Sequence, residues 1–175
     1  MARHYVQFDI SGLRKFIDKL SAAGKAEFQK ELATYLEALG DDFLRIVQDE
    51  IIRAESVDTR LLLNSFQKSS SGSIFVLNEG GLTVEVGTNV EYASYVNDGH
   101  WLNPAGVETR WVPGTWSGDR FTYDPGAKTG MLLKQKWIEG SHYWDLAVRV
   151  LEKMLPEMME RKTQQWLDKY FAEFL

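Results

Sequence analysis

The sequence predicts an α+β fold: long amphipathic helices packed on a small antiparallel sheet, with a long aromatic hairpin or loop arm. Three observations carry this. Apolar residues recur at three- and four-residue steps over 25–54, and helical periodicity returns over 141–175. A strictly alternating segment at 82–87 follows a glycine-bearing turn. Residues 101–138 are rich in Gly, Pro and Trp and fit neither period. The order helix, strand, arm, helix has no β-α-β alternation, which excludes a Rossmann-like sheet or an α/β barrel.

Element by element, residues 5–10 alternate as a short strand, and Ser11 then caps a helix to Leu20 that presents Leu13, Phe16, Ile17 and Leu20 on one face. Over 25–54, Phe28, Leu32, Tyr35, Leu36, Leu39, Phe43, Ile46, Val47 and Ile51 form the apolar stripe, and Gly40 is a point of bending. Asp58 and Thr59 cap a short helix carrying Leu61, Leu62 and Leu63. Serine-rich residues 68–73 lead into strands Ser73–Leu77 and 82–87, joined by a hairpin loop at 78–81. Residues 92–97 form a helical turn or two. In the arm, 108–112 pairs with Arg120–Tyr123 around a loop at 113–119, and a flexible stretch follows near 126–130. Ser141 caps the last helix, and Pro156 kinks or breaks it.

With 175 residues the chain is read as one domain, 1–175, with an inserted arm (101–138) and a C-terminal helical segment (141–175). The aromatic fraction of 13%, with 6 Trp, is high; aromatics are favoured in cores and also at protein–protein contacts, so the excess is a first hint of an interaction protein. A formal net charge of -5 argues against specific nucleic-acid binding. No cysteine is present, so thiolate chemistry and Cys-based zinc sites are excluded. The first residues lack an apolar signal region and no window is long and apolar enough for a membrane span, so a soluble protein with no membrane partner is expected.

No catalytic constellation emerges. His4, His100 and His142 lie far apart without helical partners, and the bland reading of Asp98 and His100 is a turn rather than a metal site. There is no G-x-S-x-G nucleophile and no phosphate loop. Asp41 and Asp42 are adjacent on a helix and point in different directions. The reading is a non-enzyme with no cofactor and no metal. Arg110 and Arg120 beside Trp111 and Phe121 fit either a subunit contact or the stacking of sugars or bases, and the subunit contact is the favoured reading.

The most specific string is Val86-Gly87-Thr88-Asn89-Val90-Glu91-Tyr92-Ala93-Ser94-Tyr95-Val96-Asn97-Asp98-Gly99. It resembles the signature of a phage tail-component family of tail-completion or neck type, in which a strand ending V-G-T/S runs into Y-A-x-Y-V/I-E-x-G. Upstream, residues 59–66 resemble that family's T-G-x-L-x-x-S helix, with Arg60 in place of the usual Gly. Asn97 stands where Glu is common, and His100 where Thr is common. The marked positions are Thr59, Leu61, Ser65, Val86, Gly87, Tyr92, Ala93, Tyr95, Val96 and Gly99. Among these, Tyr92, Tyr95 and Val96 are expected to pack the short helix onto the sheet.

The resemblance implies a structural subunit of a homo-oligomeric, commonly sixfold ring at the head-proximal end of a phage-type tail. Its partners would be the tail tube and the head connector. It would lie in the neck of a virion or prophage-derived particle, after assembly in the host cytoplasm. Trp101, Trp111 and Trp116 are the expected interface anchors. A tail terminator or head-closure protein is the alternative within this class; a monomeric glycan- or nucleic-acid-binding module using the arm is the alternative outside it.

Overall fold

The computed structural model describes residues 4–10, 17, 22–55, 60–78 and 83–171. The chain forms strand β1 (His4–Asp9), helix α1 (Ala22–Arg53), short helix α2 (Leu61–Ser65), strands β2 (Ser73–Leu77) and β3 (Thr83–Thr88), and short helix α3 (Ala93–Asp98). Strands β4 (Gly99–Trp101), β5 (Thr109–Ser117), β6 (Arg120–Tyr123), β7 (Gly130–Lys134) and β8 (Trp137–Glu139) follow, and helix α4 (Tyr143–Phe171) closes the described chain. The fold is α+β with small antiparallel sheets. Contacts group the chain into two units: a body of 1–97 with 141–175, and the segment 98–140.

In the body, β3 is the central strand between β1 and β2, antiparallel to both. The alternation of β3 decides which face is buried. Val84 and Val86 point inward beside Phe8, Phe75 and Leu77, and pack with Leu36, Leu39, Phe43 and Val47 of α1. Gly40 does not interrupt α1. A Cβ at that position would sit 3.0 Å from the Phe75 ring and 3.1 Å from Val86, so the missing side chain lets the helix approach the sheet closely.

Helix α4 runs antiparallel to α1. Trp144 meets Phe43 edge-to-face at 5.2 Å, the Tyr35 hydroxyl reaches Met159 Sδ, and Trp166 meets Phe28 at 5.0 Å. The helix continues through Pro156, where a kink or break was expected. Pro156 and Glu152, whose carbonyl loses its donor, are both exposed, so water can satisfy that carbonyl while burial of Leu151 and Trp166 holds the helix on either side. Ile17 is buried with Phe28, Leu32 and Trp166, and the rest of the helix expected at 11–20 lies outside the described residues.

At the far end of this helix pair, Lys169 bonds Glu31 and, at 2.9 Å, Glu27. The Lys169 hydrogen bond holds the Glu31 carboxyl below its ordinary range, against the opposing effect of burial and with help from the Tyr170 hydroxyl. The same pair raises Lys169, first through Glu31 and then Glu27. Burial, followed by the Glu31 hydrogen bond, raises Tyr170.

The unit 98–140 is built of strands alone. β5 is longer than its expected 108–112. Its first half pairs with β7 (Thr109↔Lys134 to Pro113↔Gly130), and its second half pairs with β6 (Gly114↔Tyr123 to Ser117↔Arg120). The expected loop at 113–119 is therefore mostly strand, turning at Gly118 and Asp119. Pro113 sits where the ladder changes partners, and its carbonyl accepts from the Asp124 amide at 3.2 Å. A missing N–H costs least at such a changeover. Gly130, expected to close a flexible stretch, begins β7, and β8 pairs with β4.

Candidate functional site

The two motif strings, far apart in sequence, meet in the body. Ser65 closes α2 and is fully buried; its hydroxyl lies 2.7 Å from the Leu62 carbonyl and 2.8 Å from the Thr88 hydroxyl at the end of β3. Thr88 Oγ1 also lies 3.3 Å from the Gly72 carbonyl and accepts from the Val90 amide at 3.1 Å. Each hydroxyl has one proton, so two circuits satisfy the pair. Either Ser65 donates to Leu62 and Thr88 to Ser65, or Ser65 donates to Thr88 and Thr88 to Gly72. The serine of one motif and the threonine of the other thus form one buried polar lock.

Arg60 stands immediately before α2 with φ 62, a left-handed conformation. This accounts for the glycine expected at that place, because a Cβ there is strained. Asp58 and Thr59 lie outside the described residues. Leu61, the expected motif leucine, is exposed, and Leu62 is the leucine buried in the core. The pattern's L falls on Leu62 when counted from Thr59, so the correction is one of register.

The second half of the motif forms a junction between two helix ends. The carbonyl of Val96 accepts from the Ser141 amide (2.8 Å) and hydroxyl (3.0 Å); that of Asn97 accepts from the His142 amide (3.0 Å), and that of Ala93 from the Tyr143 hydroxyl (3.3 Å). In return, Asn97 Oδ1 accepts the Trp144 amide of α4 at 2.9 Å, and its Nδ2 lies 3.4 Å from Asp145 Oδ2. Unsatisfied carbonyls at the end of α3 and an unsatisfied amide at the start of α4 thereby complete each other. Ser141 was expected to cap α4, but its hydroxyl serves Val96 and Asn97 caps the helix from another element. His142, with φ 54, turns the chain into the helix and places Nδ1 3.5 Å from Asp145.

Ala93 and Asn97 are the buried residues of α3, with Tyr92 and Val96 packed partly against the core. Tyr95, expected on that inner face, is 58% exposed, since its position on α3 turns it outward. Val86 and Gly87 are buried in β3. Gly99 has φ 83, and a Cβ there would stand 2.6 Å from the Ile138 carbonyl, so the chain can leave α3 and enter β4 here only without a side chain. Sequence reasoning had not marked Thr88 or Asn97 as site residues. Their signal was present, since both lie inside the motif as short polar residues at the ends of elements.

The remaining marked residues lie in 98–140. Trp101, Trp111 and Trp116 are 58%, 56% and 55% exposed. Trp101 stacks edge-to-face on Trp137 at 5.3 Å, Trp116 on Phe121 at 5.2 Å, and the Trp111 ring covers Gly130. Every hydrophobic side chain that is buried among the described residues belongs to the body. Among the described residues no group of three His, Asp or Glu converges as a metal site, and no helix is long and apolar enough to cross a membrane.

Residues 14–99 match the family described as "Bacteriophage HK97-gp10, putative tail-component". Over 165 residues the chain is 50% identical to "Uncharacterized protein YqbI" of Bacillus subtilis (strain 168), which covers 93% of this chain and 99% of that protein. Over 160 residues it is 45% identical to "Phage-like element PBSX protein XkdI" of the same organism, covering 91% of this chain and 98% of that protein. The chain belongs to the HK97-gp10-like tail-component family. No solved structure matches it. The role that follows is that of a structural component of a phage-type tail. In this tail component the family match ends at Gly99, where the chain enters the 98–140 unit. Both relatives nevertheless extend across that unit, because their coverage leaves too few positions to omit it.

Proposed function

We propose that this tail component is one subunit of a homo-oligomeric, sixfold ring at the head-proximal end of the tail, where it completes the tube and joins it to the head connector. The ring belongs to a virion or phage-like particle and acts mechanically, with no catalysis, cofactor or specific nucleic-acid contact. One observation supports this above the others: the body holds its own core, while 98–140 carries Trp101, Trp111, Trp116 and Trp137 and buries no hydrophobic side chain. A small sheet without a covered apolar face is marginal in water, and a neighbouring subunit supplies that cover.

Apolar burial contributes about 25 cal/mol per Å². Association costs about 4–15 kcal/mol in lost freedom, so a single contact is weak. Closing a ring gives every subunit two contacts, and a tube end that orients the first subunits lowers the cost for the rest. The test is light scattering of the purified protein across a concentration series, with imaging of large species, alone and with purified tail tubes. Rings in either setting uphold the reading. A strict monomer that ignores tubes and connectors overturns it and brings glycan or single-strand binding by the arm to the front.

A further inference from the structure

The strand register sorts the three-stranded β6–β5–β7 sheet into two faces. On one face Trp111 stands directly opposite Leu132, with Thr109 and Lys134 as the next pair along the ladder. Trp111 and Leu132 are both more than half exposed, and the indole is held against Gly130. The result is a fixed, flat apolar plate with an ammonium beside it. Strands β5, β6 and β7 contain Arg110, Arg120 and Lys134 and no carboxylate. Across 98–140 as a whole, five carboxylates match five cations, so the formal charge of -5 resides on the body.

The body offers a matching surface. A groove of about 310 Å³ runs between α1 and α4, floored by Leu39, Ile46, Leu151, Met154 and Met158 and rimmed by Asp42, Arg45 and Asp49. It is wide enough to admit one bulky apolar side chain. Met154 is exposed, and methionine adapts to an aromatic surface. Arg45 pairs with Asp42 at 3.6 Å, while Asp49 has no cation partner among the described residues.

We infer that the Trp111–Leu132 plate of one copy docks in the α1–α4 groove of a second copy, with Lys134 facing Asp49. The contact joins two different surfaces, so it is head-to-tail and propagates around a ring rather than stopping at a dimer. This rests on the ring reading above and names the surfaces that build it.

The chain has no native cysteine, which makes crosslinking direct. Leu132→Cys and Met154→Cys are made as separate variants, assembled as a mixture and oxidised. A mixed disulfide dimer is expected, with neither variant crosslinking alone; a chain carrying both substitutions is expected to give a ladder ending at the ring's copy number. In parallel, Lys134→Glu and Asp49→Lys each weaken assembly by about tenfold or more, and the two combined restore it. Rings that form without the mixed disulfide and ignore both charge reversals overturn this contact and leave the ring reading standing. Absence of any assembly, with or without tail tubes, overturns both.

Discussion

The side chain of Asn97, at the end of one short helix, caps the long helix α4 by accepting the amide of Trp144, 47 residues later, at 2.9 Å. The contact lies within the body and ties together the two points of its chain that 98–140 separates. It also gives the motif a physical meaning. An acceptor is required at this place, and the glutamate common in the family would meet the same helix N-terminus with a full negative charge.

Replacing Asn97 by Ala removes the cap and leaves the Trp144 amide without a partner, for an expected loss of about 1–2 kcal/mol. Asn97→Asp keeps the acceptor for the Trp144 amide but sets a buried carboxylate 3.4 Å from Asp145 Oδ2 in place of the amide donor, so it is expected to fall below the parent near neutral pH and to recover as pH falls. Urea unfolding of the three proteins is the measurement. An Ala variant as stable as the parent would show that water replaces the cap.

The Ser65–Thr88 lock is expected to behave as a coupled pair. Ser65→Ala and Thr88→Val each strand a buried polar partner at a cost of about 1–3 kcal/mol. The double variant should cost less than the sum, by about 0.5 kcal/mol or more, because the Ser65–Thr88 bond that each single variant removes is then lost only once. Strict additivity in a double-mutant cycle would show that the contact contributes nothing.

Arg60 occupies a left-handed conformation at φ 62. Arg60→Gly removes a strain of about 1 kcal/mol and adds back some freedom to the unfolded chain, so a modest net gain in melting temperature is expected. A clear loss on calorimetry would mean that the arginine side chain makes compensating contacts.

The Glu31–Lys169 pair sets a pH window. Glu31 is held below its ordinary value of 4.5, so its contribution is present above that value and disappears as pH falls through the lowered one. Lys169 is raised above 10.5, so its contribution is complete below that value and disappears as pH rises through the raised one. Glu31→Gln should lower the neutral plateau slightly and flatten the acid limb by the same amount, the two proteins converging in acid; the difference is small because the pair is partly solvated. Thermal melts between acid and neutral pH decide it.

Trp111→Ala with Trp116→Ala should leave the monomer's unfolding within about 0.5 kcal/mol of the parent while weakening assembly by about 2 kcal/mol per tryptophan. Loss of monomer folding would instead make them structural residues of their own sheet.

Local periodicity carried the sequence reading furthest. The stripe from Phe28 to Ile51 predicts α1, and the Val84–Val86 alternation predicts β3, because each pattern is written in neighbours along one element. Pro113 and Pro156 misled for the same reason. The rule that proline interrupts a ladder or helix is local, and it yields where strands change partners or where packing on both sides holds a helix together.

By itself the sequence determined the α+β class, the two long helices and the motif that marks the tail-component family. Only the tertiary structure decided that Ser65 pairs with Thr88, that Asn97 rather than Ser141 caps α4, that Tyr95 faces outward and that the arm is two small sheets with no buried hydrophobic side chain among them. The reason is physical. Periodicity records which face of an element avoids water, whereas a hydrogen bond or a cap between elements depends on distances that chain order does not encode.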